Sequence, residues 1–359
     1  MSGAGPGSRN HRALPPPLAD HIERLLIVCP TWIGDTVMAT PVLRAARASL
    51  PQARIIAAIR PGLDELLHGC PWLDELVPVN MKGPLGPVGA AHRLRQHRPD
   101  AILLLPNSFR AALTARLTRA PIRIGYDREH RGMLLTHTLT PPPLALPTPT
   151  LDYYARLAAF TLGCESIDTP MELSVTGDED RAADELLADV DEPFVLLNPG
   201  ANKRAKRWPA DRFARVAEAL RDSHGLGAVV SGSPRERDVL AQVAAAARCP
   251  IVNAGARGMR LGPLKAVTRR AALLITNDTG PRHVAAALGI PVVTLFGPTD
   301  PRWTELRYPK ESVIRAEPFL PQELVADRFP TLCAIGRIAV EDVLASSRRL
   351  LDEQCASDR

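Results

Sequence analysis

The sequence predicts an α/β protein made of two Rossmann-like doubly wound domains that face each other across a central cleft. Three observations carry that expectation. Short apolar runs alternate with helical stretches over residues 24–126, break off, and resume with the same alternation after residue 190. At 359 residues the chain is longer than one typical core. The stretch AALLITNDTGPRHVAAALGIPVVTLF, residues 271–296, reads as a complete strand-helix-strand unit of a parallel sheet.

Residues 1–23, rich in Gly, Pro, Ser and Arg and without an apolar core segment, read as a disordered tail and not as a signal peptide. The run RLLIVC from Arg24 is a buried strand, and PTWIGD is a loop opening onto a helix expected from Thr36. Strands follow at 54–59, 75–79, 101–105 and 122–126, with helices at 63–68, 91–97 and 108–118 between them. PPPLALPTP, residues 141–149, breaks every pattern, and the helix expected at 151–162 still belongs to the first domain, 24–175.

The second domain is expected over 190–335. Strands are expected at 194–197, 228–231, 251–252, 273–276 and 292–296, and helices at 212–221, 236–246, 264–270 and from Pro281 to about Leu288. Pro281 suits a first helical turn, where its missing N–H costs nothing, and Gly289 is the stop. A last helix, in residues 336–351, is expected to pack back across the hinge.

Composition excludes several classes. With 45% hydrophobic and 23% charged residues the chain is that of an ordinary globular protein, and no apolar run approaches the roughly 18 to 20 residues needed to span a bilayer. The net charge of +5 suits an anionic ligand or an acidic membrane surface, but with 4% aromatic residues there is no nucleic-acid footprint. The six cysteines form no CxxC pair and have no histidines at ligand spacing, so no metal site is expected.

Brändén's rule places ligands at the strand ends, so the loops there are the candidate site. After the 273–276 strand, Asp278, Thr279 and Gly280 precede a helix whose N-terminus carries about half a positive charge, which makes an anion site. Gly280 would let an anionic oxygen approach the main chain, and the Asp278 carboxylate, repelled by phosphate, would face sugar hydroxyls. A phosphate beside a sugar suggests a nucleotide-sugar, although Asp278 or Thr279 as a plain helix cap explains the turn equally well. Asp35, at a helix start, reads either as an N-cap or as the base that takes a proton from a hydroxyl nucleophile. The loop NPGANKRAKRWP, with Gly200, Lys203 and Lys206, reads either as a solvated basic loop or as a cationic clamp on a leaving diphosphate, with Lys206 foremost. Arg110, Arg128 and Arg131 lie near strand ends and could meet an acidic acceptor.

Taken together, IGD with its following ATP, the NPGANKRAKRWP loop, NDTGPRHVAAALGIPVVTLFGPTDP and the late CAIGRI run that begins at Cys333 resemble the ADP-heptose:lipopolysaccharide heptosyltransferases of glycosyltransferase family 9, of the heptosyltransferase II type. The resemblance implies the GT-B fold and an inverting, metal-independent transfer with no cofactor beyond the ADP-sugar donor. It implies a lipid-linked saccharide acceptor at the inner face of the inner membrane and a cytoplasmic enzyme, expected here to be a monomer. By position it makes Asp35 the general base and Lys206 the lysine facing the donor phosphates. Asp278, Thr279, Gly280 and His283 become the donor-binding motif, and Glu236 the contact to the nucleotide ribose. The chain departs from the family at residues 256–261, ARGMRL, and at Arg282. Two other readings stand beside this one: a transferase or epimerase using a different nucleotide-sugar, for which Asp35 and His283 are the acid/base candidates, and a binding protein without turnover. A dinucleotide oxidoreductase is disfavoured, since the first strand ends in PTWIGD and not in G-x-G-x-x-G.

Overall fold

The computed structural model describes residues 22–143, 147–316 and 334–357. The expected tail up to residue 21, the centre of the PPPLALPTP break and Cys333 lie outside the described residues. The first sheet has six strands in the order β3-β2-β1-β4-β5-β6. They are β1 (Arg24–Val28), β2 (Arg54–Ile59), β3 (Glu75–Pro78), β4 (Ala101–Leu104), β5 (Ile122–Tyr126) and β6 (His137–Leu139). All pairings are parallel, with Val28 opposite both Ala58 and Leu104. The second sheet also has six strands, in the order β12-β11-β10-β7-β8-β9. These are β7 (Phe194–Asn198), β8 (Gly227–Val230), β9 (Val252–Asn253), β10 (Leu273–Asn277), β11 (Val292–Phe296) and β12 (Glu311–Arg315), again all parallel.

Helices cover both faces of each sheet, as parallel strands with apolar residues on both sides require. On the first sheet, α1 (Ile33–Met38), α2 (Thr40–Ser49), α3 (Asp64–Leu67) and α6 (Thr150–Leu162) close one apolar cluster, and α4 (Gly86–Arg95) with α5 (Phe109–Thr118) closes the other. On the second, α7 (Gly177–Leu187), α10 (Leu261–Arg270) and α11 (Gly280–Ala287) cover one face. The other face is covered by α8 (Ala210–His224), α9 (Arg237–Ala246) and α12 (Val340–Ser357). Val284, Ala286 and Ala287 of α11 also belong to the first domain's cluster, so apolar packing is continuous between the two halves.

Four expectations are corrected. The helix placed from Thr36 starts at Ile33, because Trp32 with extended backbone takes the N-cap position. The helix placed at 91–97 begins at Gly86 inside the Gly/Pro-rich loop, since Pro87 is tolerated in a first turn. The last helix does not run back across the hinge: Val340, Val343, Leu350 and Leu351 pack on α8 and the second sheet. Finally, α7 lies where only a domain boundary was expected, and β6 and β12 extend the sheets at their edges.

Candidate active site

In each sheet the chain starts at a central strand, works to one edge and returns to the strand on the other side, so β1/β4 and β7/β10 are the switch points where crevices open. Asp35 follows β1, the basic loop follows β7, and the Asp278 turn follows β10. The N-terminal ends of α1 and α11 meet there at very close range. A Cβ on Gly34 would stand 2.6 Å from Cδ2 of His283, and one on Gly280 would stand 2.6 Å from Cβ of Ile33. The missing side chain of Gly280 thus makes room for Ile33.

Asp35 sits in the first turn of α1, not at its cap, and is partly buried. Burial raises its carboxyl above the usual range, opposed by its own backbone N–H and by a hydrogen bond with the Tyr154 hydroxyl from α6. A carboxylate so placed is a stronger base than a solvated one.

Across the crevice Oδ2 of Asp278 accepts from Nζ of Lys206 at 2.6 Å and from Oγ1 of Thr299 at 2.9 Å, while Nη1 of Arg282 lies 3.9 Å from Oδ1. Burial alone would raise this carboxyl, but Lys206 and Arg282 outweigh it and the pKa is lowered. The clamp lysine and the sugar-facing aspartate of the sequence reading are thus paired with each other. The Thr279 hydroxyl sits 3.1 Å from that of Thr276 and donates to Oδ1 of Asn198 at 3.4 Å. It holds the turn, leaving the first-turn N–H groups of α11 as the donors a diphosphate could meet.

Buried Asn277 organises the basic loop. Its Nδ2 donates to the carbonyls of Pro199 and Gly200, and its Oδ1 accepts from the Trp208 N–H at 3.1 Å. Trp208 is itself buried and donates from Nε1 to the Ile338 carbonyl. Lys206 consequently leaves a short 3-10 turn, Arg204–Lys206, aimed at Asp278, whereas Lys203 remains exposed. The Glu236 carboxylate lies over Gly200, where a Cβ would stand 2.2 Å from its Oε1, and its Oε2 accepts from the Ser233 N–H and hydroxyl. Gly200 and Glu236 are therefore brought together in the loops that follow β7 and β8.

His283 is 4% exposed, and burial, aided by the charge of Arg282, lowers its pKa to about 3. It is a neutral ring wedged under Gly34 with Nδ1 unpartnered. That environment does not suit the acid/base role considered for it. Arg131, taken as an acceptor contact, is fully buried. It donates to the carbonyls of Tyr126 and Pro106 and to Oδ1 of Asn107, so it holds the β4 and β5 loops together. Arg110 is exposed at the start of α5, and Arg128 is half-buried after β5. Among the described residues no three His, Cys, Asp or Glu side chains converge as a metal site would require. Sequence reasoning missed Tyr154, Asn277 and Thr299. Only Asn277, a polar residue ending an apolar strand, carried a local signal.

The model of glycosyltransferase family 9 (heptosyltransferase) matches residues 89–324. The chain belongs to glycosyltransferase family 9. This family-9 enzyme is 29% identical over 309 residues to lipopolysaccharide heptosyltransferase 2 of Escherichia coli K12, covering 81% of this chain and 88% of the relative. The structure of the E. coli ADP-heptose lipopolysaccharide heptosyltransferase II superposes with a TM-score of 0.77 at 27% identity, over 92% of this chain and 99% of that one. A family 9 glycosyltransferase from Veillonella parvula shares the fold, with a TM-score of 0.80 at 24% identity over 92% and 97% of the two chains. The two-sheet architecture is accordingly GT-B, and the protein is a glycosyltransferase.

Proposed function

We propose that this enzyme transfers a heptose from ADP-heptose to a hydroxyl of the lipopolysaccharide inner core, with inversion and without a metal. The observation that carries the reading is the meeting of α1 and α11, which sets the Asp35 loop of one domain against the Asp278–Lys206 cluster of the other. In this scheme Asp35 accepts the proton of the acceptor hydroxyl as that oxygen attacks the anomeric carbon. Tyr154 keeps the carboxylate in place. The bond to ADP breaks on the opposite face, and the charge gathering on the diphosphate is received by Lys206 and the N-terminal amides of α11. Asp278 exchanges its lysine partner for sugar hydroxyls, and Glu236 stands where a ribose would lie. The acceptor reaches the cleft from a lipid-linked saccharide at the inner membrane surface, and the enzyme works as a single cytoplasmic chain. The E. coli relatives, a lipopolysaccharide heptosyltransferase 2 and an ADP-heptose lipopolysaccharide heptosyltransferase II, support the donor and the acceptor class.

The test is Asp35→Asn. Turnover of ADP-heptose, followed by ADP release in EDTA, should drop by at least about 100-fold, the span of a positioned base, while calorimetric affinity for ADP is retained. Normal turnover in the variant would remove Asp35 from the reaction. Loss of wild-type activity in EDTA, restored by Mg²⁺, would contradict the metal-free mechanism.

A further inference from the structure

The outer surface formed by α4 and α5 is unlike the rest of the molecule. Of the large apolar side chains that remain exposed among the described residues, all but Trp32 and Val313 lie here: Leu85, Val88, Phe109, Leu117 and Met133, the last in the 3-10 turn Arg131–Leu134 that packs on α5. Leu85 and Met133 are 77% and 81% exposed. Between Leu76 and Tyr126 the sequence holds a single acid, Asp100. That acid is engaged by the Arg24 guanidinium and by the N–H groups of Glu23 and Arg24. Over the same span Lys82, Arg93, Arg95, Arg110, Arg116 and Arg119 are all exposed.

Helical spacing puts these two kinds of residue on one surface. On α4 the buried positions are Pro87, Ala90, Ala91 and Leu94, so Val88, His92 and Arg95 share the outward stripe behind Leu85. On α5 the buried positions are Ala111, Ala112, Thr114, Ala115 and Thr118, which leaves Phe109, Arg116 and Leu117 outward. The two helices pack side by side, and an open cleft of about 300 Å³ lies at the start of α4 between Asn80, Lys82, Leu85 and Arg93. Both helices begin at the C-terminal ends of their strands, the edge at which the active-site crevice opens.

We propose that the α4–α5 face docks on an anionic phospholipid bilayer, with the apolar side chains entering the headgroup boundary and the cations meeting lipid phosphates. Apolar residues alone would suit many partners. Interleaved with cations on two helices that carry no acid, with Asp127 and Glu129 confined to the loop beside Met133, they match a partner that is apolar within and negative at its surface. The docking stands on this surface alone, and it gives the proposed transfer a direction: the crevice edge comes to lie against the leaflet that carries the lipid-linked acceptor.

The experiment is co-sedimentation of the full chain with phosphatidylcholine vesicles and with vesicles that also contain phosphatidylglycerol. Binding should require the anionic lipid and fall as salt is raised. Arg93→Glu with Arg95→Glu should weaken it by more than about tenfold, since each cation near such a surface contributes a factor of about five. Leu85→Asp with Met133→Asp should weaken it as well. An unchanged thermal midpoint and unchanged ADP binding show that each variant still folds. Equal binding to neutral vesicles, or none to either, overturns the proposal. So does binding to DNA that the arginine pair alone controls, or self-association that the apolar pair abolishes without any vesicle binding. Wild-type protein that binds vesicles but not ADP would sink the transferase reading and leave the docking face standing.

Discussion

His283 carries the cost of the join between the domains in its own titration. Its folded pKa of about 3 lies below its ordinary 6.5, so between those values the unfolded chain binds a proton that the folded chain refuses. Stability from this group is therefore complete above 6.5 and declines as pH is lowered towards 3, with a limiting slope of about 1.4 kcal/mol per pH unit. Urea unfolding at a series of pH values should show wild type losing stability with acid faster than His283→Gln. Parallel curves would show that the ring titrates normally. Asp35 behaves in the opposite sense. Its raised carboxyl makes the ionised form costly to fold, a tension common where a group is tuned for proton transfer.

At the level of elements, the contact of α1 with α11 is close enough that one methyl group should matter. Gly280→Ala would place its Cβ 2.6 Å from Ile33 and force the helices apart. We expect a loss of about 1 to 3 kcal/mol, the usual range for overpacking, together with a fall in turnover. Ile33→Ala in the same chain should restore much of both. Failure of the second change to rescue the first would mean that α11 itself is strained. How legible such elements are depends on whether their cause is local. The strand runs of β1, β4, β7, β10 and β11 are predominantly apolar, with polar residues chiefly at their ends, and the turns after them could be located directly. The α7 helix had a signature too, because Thr176 and Glu179 form a complete capping box, yet its surroundings resembled a linker. Strand β12, ESVIR, is an edge strand with charged ends and gave little sign of itself. Tyr154 could not have been assigned to Asp35 from the chain alone, since only the packing of α6 beside α1 brings them together.

For the molecule as a whole, the two domains are tied by more than the active-site contact. Lys265 of α10 is fully buried, pairs with Glu179 at 3.0 Å and donates to the His68 carbonyl of the first domain at 3.1 Å. Beside it Glu65 of α3 accepts from the Gly262 N–H at 3.0 Å and from Arg260. Removing the lysine leaves Glu179 charged and almost without solvent. Lys265→Ala should therefore lower the unfolding free energy by about 3 to 5 kcal/mol, the cost of breaking a buried pair, measurable by urea denaturation. A change near zero would mean that water replaces the ammonium.

The seam between Gly34 and His283, and between Ile33 and Gly280, also bears on recombination. Each half of the crevice is shaped to a vacancy in the other, so the N-terminal and C-terminal halves of this enzyme are matched parts and not interchangeable modules. A chimera that joins this N-terminal half to a foreign C-terminal half should work only if the graft brings a glycine to meet Ile33 and a flat ring to lie under Gly34. Exchanging acceptor preferences by swapping halves would thus begin with these four residues.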